Sequence, residues 1–193
     1  MPRPRTISDE AILDAVLALA HRVGPARVTF AAAGAEVGLS AATLVQRFGT
    51  KRELLLAADK RAIDLWVGAL DRSTATSPLA RVIDGLVLAA DPDVTPEQMA
   101  NSLAMLQLDL SDADFHAETL RGARAFRERI TSGLSAALTA GELGPGTDVE
   151  SLARLLETTY HGSLIGWAIH RDSTLAVWMR EQVEAALAPH RTH

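Results

Sequence analysis

The chain has 193 residues, of which 48% are hydrophobic, and its formal net charge is −5. That apolar content is enough for a folded core and excludes a disordered chain. Because the sequence has no cysteine, disulfides, catalytic thiolates and cysteine metal sites are excluded as well.

The beginning of the chain is polar, and no apolar run approaches the roughly 20 residues that a membrane span needs. We therefore expect a cytoplasmic protein with no membrane partner. The charge is uneven, since residues 1–55 hold seven Lys/Arg against five Asp/Glu and residues 56–193 hold twelve against nineteen. A mildly basic end on an acidic body is typical of a protein that meets phosphate at one end only.

Three short helices are predicted at the start of the chain. The first follows a cap at Thr6 or Ser8, carries an apolar stripe at helical spacing and stops at Gly24-Pro25. Thr29 caps a second helix over residues 30–37, and Gly38 ends it after two turns.

Ser40 caps the third helix, over residues 41–48, and Gly49 ends it. Because a tight glycine turn joins the second and third helices, the segment is predicted to be a helix-turn-helix unit.

From residue 51 onward the hydrophobic pattern stays helical, with breaks at glycine, proline and polar clusters. Six further helices are predicted, over residues 51–70, 78–90, 96–108, 115–139, 148–170 and 173–189. Residues 110–114 are predicted to be a turn and cap. With no convincing strand or repeat, the sequence predicts an all-α fold of three plus six helices.

The third helix has the side-chain distribution that a helix in a DNA groove needs. Leu39, Leu44 and Phe48 would anchor its inner face on the helices behind it. Small or polar side chains are left to face outward, namely Ala41, Ala42, Thr43, Val45, Gln46 and Arg47.

This stretch resembles the head of the Tet-repressor (TetR) family of transcriptional regulators over about residues 8–56. The resemblance is carried by Val28-Thr29-Phe30, Gly38-Leu39-Ser40, Thr43-Leu44, Arg47-Phe48 and Lys51-Arg52-Glu53-Leu54. It implies phosphate contacts for Thr29, Thr43 and Lys51, and positions nearest the base edges for Ala41, Ala42, Gln46 and Arg47. Val45 stands where the family has a tyrosine, Val37 where it has an alanine, and Gly34 where a better helix former is common.

The chemistry of these side chains agrees with that implication, because Gln can pair with adenine, Arg with guanine, and alanine methyls with the thymine methyl. Arg3 and Arg5 precede the first helix and could reach the DNA backbone or the minor groove as an arm.

The resemblance also implies a domain plan and a function. Residues 1–50 would be the helix-turn-helix DNA-binding domain, and residues 51–193 a six-helix effector-binding and dimerisation domain. The protein would be a homodimeric repressor that binds a double-stranded DNA operator and is released by a small apolar or aromatic effector. No catalytic motif is present, so we expect no enzyme activity, no cofactor and no metal.

Two sets of residues in the body are candidates for these roles. In the family the last two helices make the dimer, and the small, apolar face expected there comprises Leu152, Leu155, Thr159, Gly162, Ser163, Gly166, Leu175, Trp178, Met179 and Val183. The effector cavity that the resemblance implies would be lined by Trp66, Met99, Leu103, Leu106, Phe126, Tyr160 and Trp167. Tyr160 or Gln107 would orient the effector. The alternative for the dimer face is that it serves one monomer's core, and a stripe of Met and aromatic residues is more often plain core than a pocket.

Two charged clusters allow other interpretations. A metal site at Asp109, Asp112, Asp114 and His116 competes with a simple helix cap at Asp112 or Asp114, and the cap is favoured. The arginines at 121, 124, 127 and 129 form either a second basic patch or, more simply, a charged outer face.

For the whole chain, the alternatives are a helical enzyme or ligand carrier with a helix-turn-helix-like corner, and a regulator controlled by a protein partner or by nothing.

Overall fold

The computed structural model describes residues 7–192, so Arg3, Arg5 and the alternative cap Thr6 lie outside the described residues. Helices are the regular elements of the described chain, with no strand between residues 7 and 192, which confirms the all-α prediction. Its α-helices are α1 (Asp9–Val23), α2 (Phe30–Val37), α3 (Ala41–Phe48), α4 (Lys51–Ala69), α5 (Pro78–Ala89), α6 (Pro96–Ser111), α7 (Ala113–Thr139), α8 (Val149–His170) and α9 (Leu175–Leu187). Within the same range no helix has the length and apolar character to cross a bilayer.

Polar side chains begin these helices where the sequence places them. Ser8, Thr29, Ser40, Asp148 and Thr174 each accept a hydrogen bond from the backbone N–H three residues ahead. Each cap satisfies one of the N–H groups that a helix start leaves without an internal partner. The three caps predicted above, at Ser8, Thr29 and Ser40, are therefore confirmed.

The turn between α2 and α3 depends on two glycines. Gly38 ends α2 with a φ of 69°, a left-handed conformation that favours glycine. A Cβ atom on Gly34 would lie 2.4 Å from the carbonyl oxygen of Leu39, so the chain can turn back this closely only without a side chain there. The poor helix former at position 34 is thus what allows the tight turn.

The predicted turn over residues 110–114 is shorter than expected. The Asp112 N–H still donates to the Leu108 carbonyl at 2.9 Å, which carries α6 on to Ser111. The Asp112 carboxylate then accepts from the Asp114 and Phe115 N–H groups and caps α7, as one of the two predicted caps. A single residue therefore ends one helix and begins the next.

The helices form two compact units. Unit 1 contains residues up to Asp64 together with Pro96–Thr119, and unit 2 contains Leu65–Thr95 and Leu120–His193. The helix-turn-helix thus shares a unit with the first part of α4, with α6 and with the first turns of α7. The predicted functional division at residue 50 stays a prediction.

Unit 1 has one apolar core, and Phe115 belongs to it. Its buried members include Ile12, Val16, Leu44 and Leu54 from the first four helices, and Phe115 from α7 is only 2% exposed among them. The sequence placed Phe115 in the body, because periodicity within α7 does not reveal a partner more than sixty positions away in the chain.

An arginine on α4 fixes the start of α7 to the same unit. Arg52 donates to both carboxylate oxygens of Asp112, from Nε at 2.8 Å and from Nη2 at 2.5 Å, and Nη2 also donates to Asp114 at 2.7 Å. Its guanidinium carbon lies 5.9 Å from the centroid of the Phe115 ring. The hydrogen bonds from Arg52 hold the pKa of Asp112 below its usual range. These carboxylates, considered as metal ligands above, bind an arginine instead.

The α6 face that packs on α1 carries one carboxylate without a partner. Asn101 on this face donates to the His21 carbonyl of α1 at 2.7 Å. Asp109 lies two turns further along, and its Oδ1 is buried with no hydrogen-bond partner among the described residues. Burial raises the pKa of Asp109 to about 6.

Phe115→Ala should destabilise unit 1 by about 3–5 kcal/mol, because it removes a fully buried ring and leaves a cavity. Leu110→Ala is the matched control, because it changes a 67% exposed side chain near the end of α6, and it should cost less than about 1 kcal/mol. Urea unfolding of both variants, followed by circular dichroism, measures the difference. Equal losses would contradict the placement of Phe115 in the core.

Asp109→Asn should stabilise the protein by about 1 kcal/mol near pH 8. This is less than the full pKa difference corresponds to, because the carboxylate is partly exposed and solvent screens its charge. An unfolded Asp ionises near pH 4, whereas the folded Asp109 does so only near pH 6. The wild type should therefore lose stability relative to the variant as pH rises from about 4 through 6. Thermal unfolding of both proteins across this range tests the prediction, and a difference that does not change with pH would contradict it.

Candidate nucleic-acid interface and body sites

Helix α3 has one buried face and one exposed face. Leu44 is fully buried, and Leu39 and Phe48 pack against the core of unit 1. On the opposite side Val45 is 46% exposed, and Ala42, Gln46 and Arg47 are exposed as well. The residues expected to face outward do so, apart from Ala41 and Thr43, which are half-buried.

Arg47 is not free in this structure. Its Nη1 donates to the Ile7 carbonyl at 2.8 Å, and the same atom lies 3.3 Å from the Asp9 carboxylate. The end of α3 is therefore tied to the beginning of α1. A contact between Arg47 and a base, as the family resemblance implies, would require these two interactions to be released.

The three residues expected to contact phosphate also have partners within the head. Lys51 donates from Nζ to the Ala26 carbonyl at 2.7 Å, which connects the start of α4 to the turn after α1. The Thr29 hydroxyl caps α2 at 3.1 Å from the Ala32 nitrogen. The Thr43 hydroxyl lies 2.9 Å from that of Ser40. These contacts fix where each polar group stands on the surface of the head.

The seven residues expected to line an effector cavity are divided between the units. Met99, Leu103 and Leu106 belong to α6 in unit 1, where Met99 is buried and the two leucines are exposed. Trp66, Phe126, Tyr160 and Trp167 belong to unit 2.

Three of the unit 2 residues are in direct contact. The rings of Trp66 and Phe126 are stacked with centroids 4.2 Å apart, and the Phe126 and Tyr160 centroids are 4.9 Å apart. Trp66 donates from Nε1 to the Tyr160 hydroxyl at 2.9 Å, and that hydroxyl donates to the Ala89 carbonyl at 2.8 Å. Burial raises the pKa of Tyr160, so its hydroxyl remains a donor at neutral pH.

Trp167 and Gln107 have other surroundings than these three rings. Trp167 is buried and donates from Nε1 to the Ser173 carbonyl at 2.9 Å, which holds the loop between α8 and α9. Gln107 is exposed on α6 in unit 1, whereas Tyr160 sits within the stacked rings. Of the two proposed orienting groups, only Tyr160 lies in an aromatic environment.

Two residues beside these three rings were not among the sequence candidates. His161 has its ring centroid 5.2 Å from that of Tyr160 and 5.9 Å from that of Trp66. Glu157 is 7% exposed and accepts a hydrogen bond from Arg127 Nε at 2.6 Å. Their spacing on α8, with Glu157, Tyr160 and His161 at i, i+3 and i+4, was the available signal.

The ten residues expected in a dimer interface also divide, here by burial. Five of them are buried within the chain, namely Leu152, Ser163, Leu175, Met179 and Val183. Leu155 and Gly162 are exposed, and Thr159, Gly166 and Trp178 are half-buried. Three more exposed apolar side chains, Ile165, Ile169 and Val177, lie on the same two helices.

Comparison with solved structures gives matches over almost the whole chain. A TetR transcription regulator from Haloarcula marismortui is 20% identical, has a TM-score of 0.80 and covers 95% of this chain and 98% of its own. SmeT, the repressor of the Stenotrophomonas maltophilia multidrug efflux pump SmeDEF, is 24% identical in its triclosan complex, with a TM-score of 0.73 and coverage of 95% and 91%.

A transcriptional regulator from Saccharomonospora viridis, solved in complex with choline, is 20% identical, with a TM-score of 0.74 and coverage of 93% and 95%. At these identities the likeness shows the fold. The sequence matches no curated protein.

The sequence of the head carries the family signal. Residues 12–58 match the family model described as "Bacterial regulatory proteins, tetR family". This range begins in α1, includes the whole helix-turn-helix and ends within α4. The family model confirms the resemblance of the head to the TetR family of transcriptional regulators, and the solved structures show that nearly the entire chain has the same fold as regulators of that family.

Proposed function

We propose that the protein is a cytoplasmic homodimeric repressor that binds an operator through α3 and releases it when a small molecule binds the body. The observation that carries the proposal is the exposed side of α3, with Val45, Gln46 and Arg47, on a head that matches the family model. An α-helix fits the major groove of B-DNA, and Gln and Arg are side chains that read bases there.

Affinity should come mainly from the DNA backbone, because α3 offers few polar side chains to the bases. Most protein–DNA hydrogen bonds go to phosphate and sugar, and these position the protein without reading sequence. Specificity would then depend on half-site spacing and DNA shape as much as on base contacts. Selection of bound duplexes from a random pool would identify the operator, and failure to enrich any sequence at moderate salt would contradict the proposal.

Thr43→Ala and Lys51→Ala should weaken binding to every sequence, and Lys51→Ala should also reduce the slope of log K against log salt by about 1. Gln46→Ala should instead alter the preference at one base position by about 1–3 kcal/mol. Lys60→Ala is the control, because Lys60 lies further along α4, where it pairs with Glu118 of α7. Fluorescence anisotropy with operator and scrambled duplexes measures these effects. A uniform loss for Gln46→Ala would contradict a base-reading role.

A dimer is proposed because one head reads only one half-site. The face that we assign to it, the outer face, comprises Leu155, Gly162, Ile165 and Ile169 on α8 with Val177 and Trp178 on α9. Leu155, Gly162 and Ile169 recur every seven residues, and four of the apolar side chains are 45–71% exposed. The glycine would let a second helix approach closely. This set keeps Leu155, Gly162 and the half-buried Trp178 of the expected interface and adds the exposed apolar residues beside them.

Ile169→Glu should weaken dimerisation by about 2 kcal/mol or more, roughly 30-fold in Kd, because it places a charge at the centre of an apolar contact. Leu110→Glu is the matched control, since Leu110 is 67% exposed and Ile169 is 71% exposed. Sedimentation velocity over a concentration series measures the Kd. If both variants stay dimeric, the outer face is not the interface.

Release by a small molecule is the remaining part of the proposal. SmeT in complex with triclosan and the Saccharomonospora viridis regulator in complex with choline share this fold. To cause release, an effector must bind more tightly to the conformation that does not bind the operator. The coupling free energy between two such sites is typically about 1–3 kcal/mol. The alternative, a helical enzyme or carrier, would require turnover or ligand binding that survives loss of DNA binding in Lys51→Ala.

A further inference from the structure

Unit 2 holds a buried carboxylate at the edge of its aromatic cluster. The aromatic cluster is defined as Trp66, Phe126, Tyr160 and His161. Helices α7 and α8 contact each other here at two points. The ring centroids of Phe126 and Tyr160 are 4.9 Å apart, and Arg127 Nε lies 2.6 Å from a carboxylate oxygen of Glu157. Because Phe126 and Arg127 are adjacent in sequence, Glu157 lies beside the rings.

The two partners of this ion pair differ in exposure. The Glu157 side chain is 9% exposed, whereas that of Arg127 is 45% exposed. A buried carboxylate paired with a partly exposed arginine adds little stability, because the cost of removing the carboxylate from water rivals the attraction between the two charges. An apolar residue at position 157 would pack at less cost, so the carboxylate requires a reason other than stability.

Arg127 separates Glu157 from an open groove. The groove has a volume of about 360 Å³, within the usual range for small-molecule sites. It is lined by Arg124, Arg127, Glu128, Thr131, Ser132 and Glu150. Arg127 thus belongs both to the lining of the groove and to the ion pair with Glu157, so a group in the groove lies beside the residue that covers the carboxylate.

The charges of this region favour a cation. Two arginines, Arg124 and Arg127, and two glutamates, Glu128 and Glu150, line the groove, and Glu157, the partner of Arg127, adds a third carboxylate. An anion would gain the two guanidinium groups but would lie against the three carboxylates.

From these contacts we propose that the body binds an organic cation, which displaces Arg127 from Glu157 and places its charge against the carboxylate. This inference deepens the proposed function by naming the class of effector. Arg127 acts as an internal substitute for the ligand, since a guanidinium is itself an organic cation. Binding then exchanges one cation for another on Glu157, and Arg127 moves into solvent.

Three soluble probes that share a benzene ring and differ in charge test the proposal: phenyltrimethylammonium, benzyl alcohol and benzoate. Isothermal titration of the DNA-free wild-type protein should show the cation binding at least about ten-fold more tightly than the other two. Equal affinity for the alcohol would mean a merely apolar site, and tighter binding of benzoate would mean an anion site at Arg124 and Arg127. Either result, or no binding of the cation, overturns the proposal.

Two variants give opposite predictions. Glu157→Gln should lower the affinity for phenyltrimethylammonium at least about ten-fold and leave the affinity for benzyl alcohol unchanged. Arg127→Gln should increase the affinity for the cation several-fold, because the internal competitor is gone. Glu184→Gln, on an exposed position of α9, is the charge-matched control and should change nothing.

Arg127→Gln leaves Glu157 without its partner and can lower stability. In that case the cation should raise the unfolding midpoint of Arg127→Gln by more than it raises that of the wild type. A smaller rise would contradict the exchange of cations. Because every readout uses protein without DNA, a failure here is separate from a failure to find an operator.

Discussion

The exposed face of α3 depends on the complete burial of Leu44. This side chain lies in the core of unit 1 with Ile12 and Val16 of α1 and Leu54 of α4. Because α3 is only two turns long, it has no stability of its own and takes its orientation from that contact. The caps and the glycine turn shape the entry into the helix, but the apolar anchor decides which side chains are presented to solvent.

Periodicity and capping were sufficient to predict the fold. The bounds of α2 and α3 follow from Thr29, Gly38 and Ser40, whose effects are local and therefore visible in the sequence. The end of α6 was less predictable, because Asp112 serves two helices at once. Side chains that make local hydrogen bonds can be interpreted alone, whereas those that serve two elements cannot.

Long-range pairing explains what the sequence could not reveal about the candidate sites. A helical wheel gives directions relative to one axis and does not tell which direction the chain itself will cover. For this reason Leu152 and Met179, expected at a dimer face, are buried inside the chain, whereas Ile169 was overlooked and is exposed. Likewise Arg127 could be recognised as part of a charged row, but its partnership with Glu157 exists only once α7 and α8 are packed together.

The insertion of Phe115 into the core of unit 1 has a consequence for the modularity of the family's heads. A graft of residues 1–50 onto a foreign body would carry α3 but neither the ring that completes its core nor the carboxylates that hold Arg52. The segments that make up the folded head are therefore discontinuous in sequence. A chimera would have to bring the junction of α6 and α7 along with the helix-turn-helix, because recombination at a single point after α3 would leave the core of the head incomplete.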